Sequence, residues 1–60
     1  MNTELLTIEE AAKLLRLPVA TLRHYRAQGG VDGPRSAKIG RRVMYRRVDV
    51  ENFINAAFAA

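Results

Sequence analysis

The apolar positions of this chain fall into three stretches of helical period and one short stretch of strand period. Ile8, Ala11, Ala12 and Leu15 recur at i, i+3, i+4 and i+7, while Lys13 and Arg16 lie off that face. Thr7-Ile8-Glu9-Glu10 reads as a capping box: the Thr7 hydroxyl can accept from the Glu10 N–H while the Glu10 carboxylate reaches back to the Thr7 N–H. A first helix is therefore predicted from Ile8 to Arg16. Leu17-Pro18 ends it, because proline disfavours helical geometry in the residue before it. Pro18 can open a second helix, since a first-turn residue needs no N–H donor. Val19 to Gln28 holds no breaker and turns Leu22 and Tyr25 inward. Gly29-Gly30 closes it, with Gly29 the expected left-handed cap.

Residues 29 to 36 read Gly-Gly-Val-Asp-Gly-Pro-Arg-Ser and predict a loop. Ala37-Lys38-Ile39 and Val43-Met44-Tyr45-Arg46 flank a basic, glycine-containing tip, which predicts a β-hairpin. A three-residue tip keeps Ala37, Ile39, Val43 and Tyr45 on one face and is the favoured register. A two-residue tip with Gly40 first is stereochemically allowed but splits that apolar set. Asp49 can cap a third helix or lie in its first turn. That helix runs from Val48 or Asp49 to near Ala57, with Val50, Phe53, Ile54, Ala57 and Phe58 at helical spacing. The stripe of Phe53, Ile54 and Phe58 is read as core packing. A break of two or three residues between short amphipathic helices is the helix-turn-helix signature. The expected fold is mainly α with a small β-hairpin: a winged helix-turn-helix of three helices, its two-stranded wing between the second and third, in one domain over residues 1–60.

Charge sharpens this picture. Residues 23 to 47 carry eight arginines and lysines against the single acid Asp32, a local charge of +7, and the rest of the chain carries two bases against five acids, or −3. A basic middle between acidic ends favours a polyanion bound on one face. Composition excludes other classes. With 48% hydrophobic and 27% charged residues the chain does not read as disordered. Sixty residues make one thin core and no walled catalytic pocket. There is no cysteine, so neither disulfides nor thiolate metal sites are available. No apolar run approaches the roughly 20 residues of a membrane span. Met1 to Glu4 lacks the basic start of a signal peptide, and a cytoplasmic location is expected.

The second helix and the hairpin carry the candidate chemistry. A helix fits the major groove of B-DNA. Ala20, Thr21, Arg23, His24 and Ala27 are expected on its exposed side. Arg23 can fork onto guanine or pair with phosphate; small Ala20 and Thr21 permit close approach; Arg26 is a further candidate contact. On the wing, Lys38, Arg41, Arg42 and Arg46 are candidates for minor-groove or phosphate contact, where arginine meets enhanced negative potential. The plain alternative is a solvated basic face. His24 is the only histidine, too few ligands for zinc. Ser36 is the only serine and has no evident base beside it. No catalytic residue, cofactor, metal or small-molecule substrate is expected.

Two runs, Leu6-Thr7-Ile8-Glu9-Glu10-Ala11-Ala12-Lys13-Leu14-Leu15 and Thr21-Leu22-Arg23-His24-Tyr25, resemble the excisionase and MerR-like winged-helix families. So do Lys38-Ile39-Gly40-Arg41-Arg42-Val43-Met44-Tyr45-Arg46-Arg47 and Asp49-Val50-Glu51-Asn52-Phe53. Together they cover about residues 5 to 54. The resemblance implies that the helix after Pro18 enters the major groove and that the Gly40-Arg41-Arg42 wing reaches the neighbouring minor groove. It further implies a phage excisionase, or recombination directionality factor. Such a protein binds and bends double-stranded DNA at attachment sites, with DNA-dependent head-to-tail self-association, and directs a partner integrase toward prophage excision. A small MerR-like transcriptional regulator is the alternative, and a protein-interaction adaptor using the Ala56–Ala60 tail a third. The chain departs from the family pattern at Pro18, where a serine often caps the second helix, and in the long loop from Gly30 to Ser36.

Overall fold

The computed structural model describes residues 4–30 and 32–59. Met1 to Thr3 of the leader reading, Val31 of the loop and Ala60 of the tail lie outside the described residues. The elements run β1 (Leu5–Thr7), α1 (Ile8–Leu15), α2 (Val19–Ala27), β2 (Ala37–Ile39), β3 (Arg42–Arg46) and α3 (Arg47–Phe58). Three helices with an antiparallel hairpin between the second and third make the winged helix-turn-helix that the pattern predicts. The pattern did not predict β1. Leu5, Leu6 and Thr7 pair antiparallel with Arg46, Tyr45 and Met44, so the sheet has three strands in the order β1-β3-β2.

The helix ends follow the local chemistry. Thr7 Oγ1 accepts from the Glu10 N–H at 3.1 Å, and Glu10 Oε1 accepts from the Thr7 N–H at 2.8 Å, which completes the capping box. α1 stops one residue short of Arg16, which turns left-handed at φ 58°, ψ 39°. The Leu17 N–H then donates to the Ala12 carbonyl at 3.0 Å, a Schellman-type closure. Pro18 occupies the N-cap of α2 in extended conformation, and α2 begins at Val19. Gly29 and Gly30 both take positive φ, and the Gly30 N–H donates to the Tyr25 carbonyl at 2.8 Å. Arg47 opens α3 with its N–H on the Glu4 carbonyl at 2.9 Å. Asp49 lies in the first turn of α3 and makes no backbone cap.

The core is Leu6, Ala11, Ala12, Leu22, Tyr45 and Val50, with Ile8, Leu15, Val19, Tyr25, Val43 and Ile54 packed around it. Ala11 and Ala12 let α1 approach its neighbours closely. Burying this set supplies the driving force for the arrangement, at about 25 cal/mol per Å² of apolar surface. The expected core stripe of Phe53, Ile54 and Phe58 is met at Ile54 alone: Phe53 is half-buried outside the packed set, and Phe58 is 86% exposed. It sits in the last turn of α3, beyond the reach of the sheet and α1, where a helical period continues after its packing partners have ended.

The hairpin register is the second correction. Ala37 pairs with Met44, Lys38 with Val43 and Ile39 with Arg42, leaving the two-residue tip Gly40-Arg41. Gly40 alone of the two has positive φ, the arrangement of a II′ turn, whose twist matches the flanking strands. The apolar set is therefore split. Val43 and Tyr45 face the helices together with Lys38, the edge-strand partner of Val43, while Ala37, Ile39 and Met44 share the outer face with Arg42, Arg46 and Leu5. The left-handed Gly40 ahead of Arg41 suits this two-residue turn, and β1 pairs Leu6 with Tyr45 on the helix-facing side of β3.

Candidate nucleic-acid interface

α1 and α2 are separated by Arg16, Leu17 and Pro18 alone. On α2, Leu22 is fully buried, whereas Ala20, Arg23, His24 and Ala27 are exposed. Those four fall at i, i+3, i+4 and i+7, so they form one continuous stripe on the side away from the core. Thr21 flanks the stripe and is half-buried. The first turn of α2 holds no acidic residue, and Pro18 provides no side-chain cap. Its positive dipole end is thus unopposed by the protein, in contrast to α1, where Thr7, Glu9 and Glu10 occupy that position.

The wing presents its cations in different directions. Arg41 stands in the tip turn. Arg42 shares the outer sheet face and borders a shallow depression with Thr7, Ile8 and Glu9 at the start of α1. Lys38 lies on the helix-facing side of the edge strand but remains exposed, its stem able to run along apolar surface with the ammonium in water. Arg46 lies at the far end of β3 from the tip. The sequence reading grouped these four; the register places Arg41, Arg42 and Lys38 near the tip and Arg46 at the base.

Ion pairing separates the same two groups. Arg46 forks onto Asp49, Nε at 2.6 Å and Nη2 at 3.2 Å. Arg47 meets Glu51 at 3.2 Å and Glu4 at 3.5 Å. Both contacts raise the Arg47 pKa further above its ordinary value, chiefly through the Glu51 hydrogen bond. Among the described residues, Arg23, Lys38, Arg41 and Arg42 make no ion pair. Among the described residues, the ion pairs fall on Arg46 and Arg47 at the base of α3, while Arg23 on α2 and Arg41 and Arg42 at the wing tip have none.

Arg26 differs from Arg23. It is half-buried, and its Nη1 donates to Ser36 Oγ at 2.5 Å. The Tyr45 hydroxyl adjoins this pair. Burial pushes the Tyr45 pKa up, while the Arg26 charge and the Ser36 hydrogen bond act the other way. The long loop is also tied down by Pro34, which is buried, and by Gly33, whose Cα lies against the Tyr25 ring. Sequence reasoning missed Gly33 and Ser36 as contacts; no periodicity or motif marks either. Among the described residues, the hydrogen-bond partner of the Ser36 hydroxyl is the Arg26 guanidinium. Among the described residues no group of His, Asp and Glu is placed to hold a metal ion, and no helix is long and apolar enough to cross a membrane.

A family model described as a helix-turn-helix domain matches residues 5–57. No curated protein and no solved structure matches the chain.

Proposed function

The chain belongs to the helix-turn-helix domain family, a DNA-binding class found in excisionase-like proteins, and on that footing we propose that it grips duplex DNA through two adjoining grooves. α2 lies in the major groove with Ala20, Thr21, Arg23 and His24 toward the bases and their flanking phosphates. The Gly40-Arg41 tip enters the neighbouring minor groove, with Arg42 and Lys38 on phosphate or groove edge. The observation that carries this reading is the division of charge: paired arginines at the base of α3, unpaired ones on the exposed stripe of α2 and the wing tip. A polyanion exchanges condensed counterions for such free cations, which makes phosphate contacts the main source of affinity.

The biological role we assign is that of an excisionase, with residues 1–60 acting as one winged domain. Copies bind side by side at a phage attachment site, bend it, and so favour integrase-mediated excision. Bending helps assemble the recombination complex because a bent duplex brings distant protein sites together. Phe58, exposed near the end of α3, is available for contact with integrase or a second copy. The work is then done in the cytoplasm of the host bacterium, on the nucleoid.

Footprinting on attachment-site DNA, with and without integrase, tests the role, together with gel mobility on permuted sites. Several adjacent protected sites and a bent complex support the excisionase. A single unbent operator points to a small transcriptional regulator. Absence of duplex binding at low salt leaves a protein-interaction adaptor.

A further inference from the structure

The loop between α2 and β2 is fastened to α2 at two points. Gly33 rests on the Tyr25 ring, and Ser36 accepts from Arg26. Ser36 immediately precedes Ala37, the first residue of β2, so any shift of Ser36 moves the start of the wing. Tyr45 of β3, 1% exposed, brings its hydroxyl to the same place. The Arg26 guanidinium thus stands where the second helix, the loop and the wing meet. Arg23, one turn earlier, is exposed and has no recorded side-chain partner among the described residues.

Resting on the DNA-binding reading above, we infer that Arg26 is a positioning residue: through Ser36 it sets the wing's angle to α2, and it does not hold a phosphate itself. The physical reason for such a strut lies in the cost of ordering. Two elements that must enter adjoining grooves together bind more tightly when their relative orientation is settled before DNA arrives. A half-buried guanidinium bonded to a hydroxyl has already lost part of its water and its freedom. It serves that purpose at less cost than a fully solvated one.

The test uses the whole chain and a duplex it binds. R26Q and S36A should each weaken binding about fivefold, the effect of losing one hydrogen bond. The slope of log K against log salt should stay that of the wild type. In an R41Q/R42Q background the S36A loss should vanish, because the strut acts only through the wing tip. Amide shifts over residues 38–45 of the free protein should move alike in R26Q and S36A. If R26Q flattens the salt slope by about 0.9, the loss of one phosphate contact, and S36A binds as wild type does, the inference is overturned. It is equally overturned if S36A weakens binding by the same factor in both backgrounds, the mark of a merely structural residue. S36A removes one oxygen and carries the test alone should R26Q fail to fold. A wild type that binds no duplex at low salt defeats the DNA reading itself, a result separate from any change of slope.

Discussion

Gly33 lies so close to Tyr25 that a β-carbon at Gly33 would stand 2.7 Å from Cδ2 and 2.9 Å from Cβ of the tyrosine. The glycine is required by space, not by a left-handed backbone. G33A should therefore cost about 1–3 kcal/mol, as overpacking does, since neither the ring nor the loop can retreat freely. Urea unfolding measures it; a midpoint unchanged from wild type would show that the loop does not pack as described.

Arg16 is the one non-glycine residue with positive φ among the described residues. A side chain in that region carries a penalty of about 1–2 kcal/mol that glycine escapes, partly offset by the greater freedom of glycine in the unfolded chain. R16G should raise stability by about 0.5–1 kcal/mol. Thermal melting should show a higher midpoint, and a lower one would contradict the Schellman closure.

Tyr45 should confer alkaline sensitivity. Its folded pKa lies above the unfolded value of about 10, so the native state holds the proton more tightly than the unfolded state. The stability this contributes is fully present below pH 10 and declines as pH rises through the folded value. Urea midpoints taken from pH 7 to 11 should fall less steeply in Y45F than in wild type. Equal slopes would sink the assignment.

Arg23 and the wing tip should fail differently. R23A should weaken binding by about 1–3 kcal/mol on a preferred site and reduce discrimination between sites. R41Q/R42Q should weaken binding evenly across sequences and flatten the salt slope by up to about 0.9 for each phosphate lost. Titrations on matched and scrambled duplexes separate the two patterns, and identical patterns would contradict the division of labour.

Arg46 should matter less than Arg41. Its guanidinium is held by Asp49 at 2.6 Å, half-exposed. An exposed pair contributes at most about 1 kcal/mol to stability. R46Q should change the salt slope by less than R41Q does, and a larger change would return Arg46 to the contact surface.

How far the sequence reached depends on where each signal lies. Capping at Thr7, the left-handed turn at Gly29 and the helical stripes are written in residues three or four apart, and all three helices were legible within a residue or two. β1 was not, because three residues offer too little alternation, and only Leu6 among them is buried. The hairpin register was misread for a related reason. Its outer face keeps Ala37, Ile39 and Met44, so hydrophobicity alone cannot tell the two faces apart. What suits the observed register is the left-handed Gly40 at the first position of a two-residue turn, a backbone preference that the hydrophobic pattern does not carry. For the proposed DNA-contacting surface, charge marks a candidate region, and geometry distinguishes a free guanidinium from one engaged by Asp49 or Ser36.

The pairing of β1 with β3 joins residues 5 and 46, so the sheet closes a ring around most of the polypeptide. Ring closure over such a span is entropically slow and is rewarded only once both strands are in place. A nascent chain that has not yet reached Arg46 leaves the leucines of β1 without a partner. The three-stranded sheet is consequently the late part of assembly, and a fragment cut within the loop should lack the docked wing and leave α1 only its packing against α2.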